Sequence, residues 1–464
     1  MQLMIILDGT IVTVALPAIQ QELGFSPASL AWVVNAYLIA FAGLLLLAGR
    51  LGDLVGARRV FLAGLAVFTL ASLVCGLAAG PELLIAGRFA QGVGAALASA
   101  VVLGMIVSLY PEPGAQARAM GVYSFVSAGG ASIGLVAGGV LTENLGWAWA
   151  FLINVPIGAA ALLLAVRLLP AQRGIGLGQG ADVLGAVLVT LGLSTAVYAI
   201  VASAEPATTP RQTLVLGVVA LVLLGGFVAR QATAARPMLP LRIFRSAQLS
   251  GANVVVVLVF AAGFGFQFLN ALYLQRVLEF SAMQTGLAFL PGPVTIGVVS
   301  LFLAARLVAR LGTRTVLLAG LAVLAVGLLL LGRAPVGGSY PVDVLPVLVL
   351  MGLGMGLAIP AVIMLAMSGA RPADAGLASG LNNTAQQAGA AVGLAVLATV
   401  AASHTATLLD GGADPVRALR DGYSLAFVVS AGFVLAGLAV ALLIRPQQPS
   451  PAAEQAAEPV LAVH

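Results

Sequence analysis

Apolar runs of about twenty residues, each broken by a short polar stretch, recur along almost the whole chain. A run of ~20 residues is what an α-helix needs to cross the hydrocarbon of a bilayer. Fourteen segments fit, near residues 1–20, 29–48, 59–78, 82–104, 118–142, 148–169, 181–203, 212–229, 248–272, 284–305, 314–333, 343–367, 378–403 and 423–444. Gly, Pro and Arg mark the breaks, as expected of short turns between helices. On this basis the chain divides into 1–170 with six segments, 171–246 with two, and 247–445 with six. The remainder, 446–464, is polar and rich in Pro and Ala, and is expected to be disordered.

Composition strengthens this reading. Only 8% of the 464 residues are charged and 61% are hydrophobic, against about 25% charged in soluble domains. So few charges could not cover a globular surface of this size, and the expected class is an all-α polytopic membrane protein. All 21 basic residues are arginine; with abundant Ala, Gly and Val, this suggests a GC-rich bacterial genome. Threaded through fourteen segments, fifteen arginines fall on one side, five on the other, and Arg88 lies within a segment. The positive-inside rule then places both termini in the cytoplasm, with the chain in the bacterial inner membrane. The net charge of +5 reflects topology and calls for no nucleic-acid partner. The single cysteine, Cys75, cannot form a disulfide within the chain and reads as a packing residue. The N-terminus lacks a basic region and a small-residue cleavage site, so no removable leader is expected.

The sequence also repeats itself. RLGDLVGARRVFLAGL (50–65) aligns without gaps to RLVARLGTRTVLLAGL (306–321), with nine of sixteen positions identical. Both copies join two predicted helices on the arginine-rich side. Parallel repeats carried by two six-helix halves, related by a pseudo-twofold axis, form a transporter architecture with its site between the halves near mid-membrane. The extra pair of helices would lie between the halves in sequence.

At this point the motifs resemble a family. GRLGDLVGARR (49–59) is similar to the signature loop of the major facilitator superfamily, G-x-L-x-D-x-x-G-x-R, matching at Gly49, Leu51, Asp53, Gly56 and Arg58. LDGTIVTVALPAI (7–19), GRFAQGVGAA (87–96), WAWAFLINVPIG (147–158) and the extra helix pair resemble its fourteen-helix drug:proton antiporter branch. GVYSFVSAGGASIGLVAGG (121–139) has the antiporter motif's spacing at Gly121, Gly130, Gly134, Gly138 and Gly139. Leu135 stands where that motif usually has Pro. Small residues at this spacing give a smooth face for close helix packing. The resemblance implies a proton-coupled exporter of lipophilic, often cationic compounds that works by alternating access. The substrates would be small molecules and protons, with no cofactor or metal, and the expected working unit is a monomer. It further implies that Asp53, with Arg58, Arg59 and Arg118 nearby, latches the two halves on the cytoplasmic side. An exporter dedicated to one metabolite or antibiotic is the alternative.

Asp8 carries the candidate chemistry. It is the one acidic residue placed well inside an apolar helix, where a charge costs at least ~2.5–3.5 kcal/mol. A carboxylate denied water can be neutralised by a proton, or kept charged by a cation. Arg88 is the one arginine within a segment, and the resemblance makes it the candidate partner. Neutralising Asp8 would free Arg88 and change which packing of the halves is preferred. Asp8 lies only seven residues beyond Met1, about 10 Å of helix. The expectation is either a short lead or a start placed late.

Buried amides need partners, so the other polar residues of the segments should face the bundle interior. Trp32, Asn35, Phe125, Gln267, Asn270, Asn382 and Gln386 are the candidates for a substrate cavity, with LNNTAQQAGAAVG (381–393) as its wall in the second half. A membrane enzyme would need clustered catalytic groups, and two distant histidines with one buried acid do not supply them. A channel would predict pore-lining rings in a symmetric oligomer, which the two-half repeat argues against. GIGLGQG (174–180) links two membrane segments and lacks the strand a nucleotide loop requires.

Overall fold

The structure is a computed structural model. It describes the chain apart from residues 111, 171–173, 175, 177–179, 206–207, 370–374 and 445–464, and apart from the side chains of 113, 117, 120, 124, 125, 127, 128 and 375. The expected tail, 446–464, and the Phe125 side chain therefore lie outside the described residues. No strand is present among the described residues.

The first group of helices is α1 (Gln2–Leu23), α2 (Ser29–Val55), α3 (Ala57–Gly76), α4 (Pro81–Leu109), α5 (Pro113–Leu145) and α6 (Trp149–Leu168). Next come α7 (Val183–Ala202) and α8 (Pro210–Thr233). The last group is α9 (Ala247–Arg276), α10 (Ala282–Leu311), α11 (Thr313–Leu331), α12 (Tyr340–Ser368), α13 (Ala375–Asp410) and α14 (Pro415–Leu443). Among the described residues, thirteen are long and apolar enough to cross a membrane. Helix α5 has 33 residues, and part of its side-chain set lies outside the description. Their outer faces expose Leu70, Leu221 and Leu301 by 64%, 71% and 75%, a surface suited to lipid and unlike that of a soluble monomer.

Helix packing repeats at an offset of eight helices. In the first group α1 packs on α5, α2 on α4, and α3 on both α4 and α6. In the second, α9 packs on α13, α10 on α12, and α11 on both α12 and α14. The two groups meet along two equivalent seams, α2 against α13 and α10 against α5. The extra hairpin breaks the symmetry: α7 covers the first seam, touching both α2 and α13, and α8 packs on α7.

The internal repeat has a structural meaning. Gly56 turns α2 into α3 with φ 106°, and Gly312 turns α10 into α11 with φ 82°. Side chains rarely tolerate that region and glycine does. Two residues further on, Arg58 Nη2 donates to the Val166 carbonyl near the end of α6 at 2.6 Å. Arg314 Nη2 donates likewise to the Leu442 carbonyl near the end of α14. Each copy ties the sixth helix of its half with a cation at the negative end of the helix dipole.

Candidate functional site

Asp8 sits in the second turn of α1, and Arg88 two turns into α4, which starts at Pro81. Both are almost wholly buried, at 0% and 1% exposure. Arg88 Nη1 donates to Asp8 Oδ2 at 2.5 Å and to Gln91 Oε1 at 2.8 Å, while Nε donates to the Val33 carbonyl of α2 at 2.7 Å. Gln91 Nε2 donates to Asp8 Oδ1 at 3.0 Å and to Ser72 Oγ of α3 at 2.8 Å. The guanidinium carbon stands 4.6 Å from the ring centroid of Tyr37 and 5.7 Å from that of Phe151. A buried pair survives when its remaining hydrogen-bonding capacity is filled, and here α2, α3 and α4 all contribute.

The motif glycines of α5 set the position of α1. A Cβ built on Gly134 would lie 1.9 Å from Thr10 Oγ1, and one on Gly138 would lie 2.9 Å from Ile11 Cα. Gly130 faces Leu3 and Ile6. Gly139 points across the seam, where its Cβ would come within 2.6 Å of Met283 Cα in α10. Gly121 faces open space, with nothing within 4 Å. With Leu135 in place of Pro, α5 runs unbroken from Pro113 to Leu145.

Between the halves lies a cavity of about 760 Å³. Its deep wall includes Thr13, Tyr37, Arg88, Gln267 and Phe268, and its rim at the arginine-rich ends includes Gly49, Arg50, Asp53 and Gly376. Asp8 does not border it; Arg88 does. On the opposite side the halves are tied together. Gln275 Nε2 donates to the Val14 carbonyl at 3.0 Å, and Arg276 Nη2 donates to Gln20 Oε1. Glu143 accepts from Ser281 Oγ at 2.8 Å and from the Met283 N–H at 3.0 Å. The structure is thus open toward the arginine-rich side and shut on the other.

Of the cavity candidates, Gln267 and Gln386 line it. Three do not. Trp32 is turned to the seam hairpin, its ring 6.2 Å from Tyr198 of α7. Asn35 and Asn270 are fully buried between helices, which an apolar run without a sharp polar face does not reveal. Asn382 is buried beside the wall and accepts from Gln386 Nε2 at 2.7 Å. Neighbouring Asn383 and Gln387 reach the cavity, with Phe41 and Phe264. Sequence reasoning also missed Gln91 and Ser72; the signal for Gln91 was its place three residues after Arg88, on the same helix face.

In the signature loop, Asp53 is 67% exposed and its partner is Arg50, 3.9 Å away. Arg59 and Arg118 are exposed, and no ion pair joins Asp53 to either among the described residues. Arg58 is engaged with α6 instead.

Residues 1–394 match the family model described as Major Facilitator Superfamily. The chain belongs to that superfamily. Among its superfamily relatives, it is 39% identical over 442 residues to the puromycin resistance protein pur8 of Streptomyces alboniger, covering 94% of this chain and 87% of that one. It is 39% identical over 435 residues to the cephamycin export protein CmcT of Amycolatopsis lactamdurans, covering 93% and 88%. The multidrug resistance protein Stp of Mycobacterium tuberculosis is 34% identical over 410 residues, covering 88% and 75%. The solved structure of a bacterial homolog of the human lysosomal transporter Spinster, inward-facing and occupied, matches with TM-score 0.68 at 15% identity over 95% of this chain and 94% of that one. At that identity the likeness shows the superfamily fold.

Proposed function

We propose that this superfamily member exports lipophilic small molecules from the cytoplasm by proton antiport, with Asp8 as the proton carrier and Arg88 as its switch partner. It does so as a monomer in the bacterial inner membrane, with α5 as a fourteenth span, both termini cytoplasmic, and the halves divided near residues 170 and 246. The observation that carries the reading is the buried Asp8–Arg88 pair at the wall of a cavity open to one side.

The cycle follows from the charges. In the inward-open form Asp8 is ionised and bound to Arg88, the state left after a proton has gone to the cytoplasm. The cavity then accepts substrate, and the halves rock outward. A proton taken up by Asp8 from outside cancels the attraction that holds Arg88, and Arg88 relaxes toward its remaining acceptors on α2 and α4. That rearrangement favours return of the proton-loaded form. One charge moved through 100 mV yields ~2.3 kcal/mol, roughly a fortyfold gradient.

The relatives' names, puromycin resistance, cephamycin export and multidrug resistance, support both a broad and a dedicated substrate range. A susceptibility panel in a pump-deficient host separates the two. Expression of the wild-type chain raises tolerance to several lipophilic compounds for a multidrug pump and to one for a dedicated exporter, and a protonophore removes the effect in either case. Tolerance that rises to none, or that survives the protonophore, refutes proton-coupled export.

A further inference from the structure

The cavity is about 760 Å³, within the range that holds a drug-sized ligand, and its charge pattern restricts what can fill it. Among the described residues, the charged groups bordering it are Arg50, Asp53 and Arg88. Arg50 and Asp53 form a pair at the rim. At depth the only charge on the wall is therefore a guanidinium. Asp8, the one carboxylate at that depth among the described residues, lies behind it with 0% exposure, held by Arg88 and Gln91.

Resting on the exporter reading above, we infer that this cavity takes uncharged amphiphiles with hydrogen-bonding oxygens and discriminates against permanent organic cations. A cation entering the deep wall leaves water and meets the positive end of the Asp8–Arg88 dipole, with no carboxylate to offset its desolvation. An uncharged ligand meets aromatic surface from Phe41, Phe264 and Phe268. Its oxygens meet the amides of Gln267, Asn383 and Gln387. Exchange of one proton for such a substrate carries net charge inward, so the membrane potential and the pH gradient would both drive export.

The test compares two probes with the same three phenyl rings, triphenylphosphine oxide, which is neutral, and methyltriphenylphosphonium, a permanent cation. Binding of each to the purified full-length chain is measured by equilibrium dialysis at neutral pH. The neutral probe is expected to bind at least about tenfold more tightly, a gap of 1.4 kcal/mol. Gln267→Glu and, independently, Gln386→Glu place a carboxylate on the wall and should close or reverse that gap. Equal or tighter binding of the phosphonium by the wild-type chain overturns the inference and leaves the exporter reading intact. So does binding of neither probe, since the exporter reading is judged by the susceptibility panel. A gap unchanged in both folded variants also overturns it, because the wall would then not set the preference.

Discussion

Arg88 stands between Asp8 and the open cavity. Its Nη1 meets Asp8 Oδ2 at 2.5 Å, and it borders the open space that Asp8 does not reach. The guanidinium also stacks on Tyr37 and bonds to the backbone of α2, so it joins Asp8 to the cavity wall and to a second helix.

Breaking one side of this pair should be worse than neutralising both. Arg88→Leu leaves Asp8 buried and unpaired, at an expected cost of about 3–5 kcal/mol. The double variant Asp8→Asn with Arg88→Gln should recover most of that stability while losing coupled transport. Thermal unfolding in detergent checks the first statement, and gradient-driven transport checks the second.

The glycines of α5 give a graded test of how α1 is held. At Gly138 the obstacle to a side chain is the backbone of Ile11, which cannot rotate away. Gly138→Val should destabilise by about 1–3 kcal/mol, as overpacking does, and should impair export. Gly121→Ala, facing open space, should change stability by no more than about 0.5 kcal/mol. The two variants are compared by unfolding temperature and by the fraction eluting as a single species.

Asp182, just before α7, knots the extra hairpin. It accepts from the Gly185 N–H at 3.0 Å, Arg230 Nε at 3.0 Å and Gln231 Nε2 at 2.7 Å. Burial alone would raise its pKa, but these bonds and the charge of Arg230 hold it below the usual carboxylate range. A depressed pKa in the folded state contributes stability above about pH 3.9, the ordinary value, and that stability is lost as pH falls through the folded value. Asp182→Asn should lower stability at pH 7 by about 1–3 kcal/mol, with the gap to wild type closing in strong acid. Unfolding temperatures measured from pH 7 downward test this.

Asp53 behaves as an exposed, weakly paired group in this conformation, and such pairs contribute about 0–1 kcal/mol. If its role belongs to the outward-open form, Asp53→Asn should leave the unfolding temperature nearly unchanged while slowing export. A matching loss of stability would assign it to the fold instead.

The Asp8–Arg88 pair was legible because Asp8 is the sole charge in its apolar run, Arg88 is the one arginine within a segment, and the family resemblance joins the two. The turns at Gly56 and Gly312 were legible through the repeat. The cavity was harder to read. Along 381–393 amides occupy several faces of one helix, so the neighbours Asn382 and Asn383 could not be told apart, yet only Asn383 reaches the cavity. Trp32 is spent on Tyr198 because α7 covers the α2–α13 seam, and no periodicity in the chain says which seam an inserted hairpin will choose.

Under the proposed cycle, protonation of Asp8 links the pH gradient to the rocking of the halves. The most direct measurement compares two modes of transport by the Asp8→Asn variant in proteoliposomes, using a compound found by the susceptibility panel. Substrate exchange at equal pH needs only loaded rocking and should persist. Accumulation driven by an imposed pH gradient should vanish. Gradient-driven accumulation at the wild-type level in that variant would contradict the account.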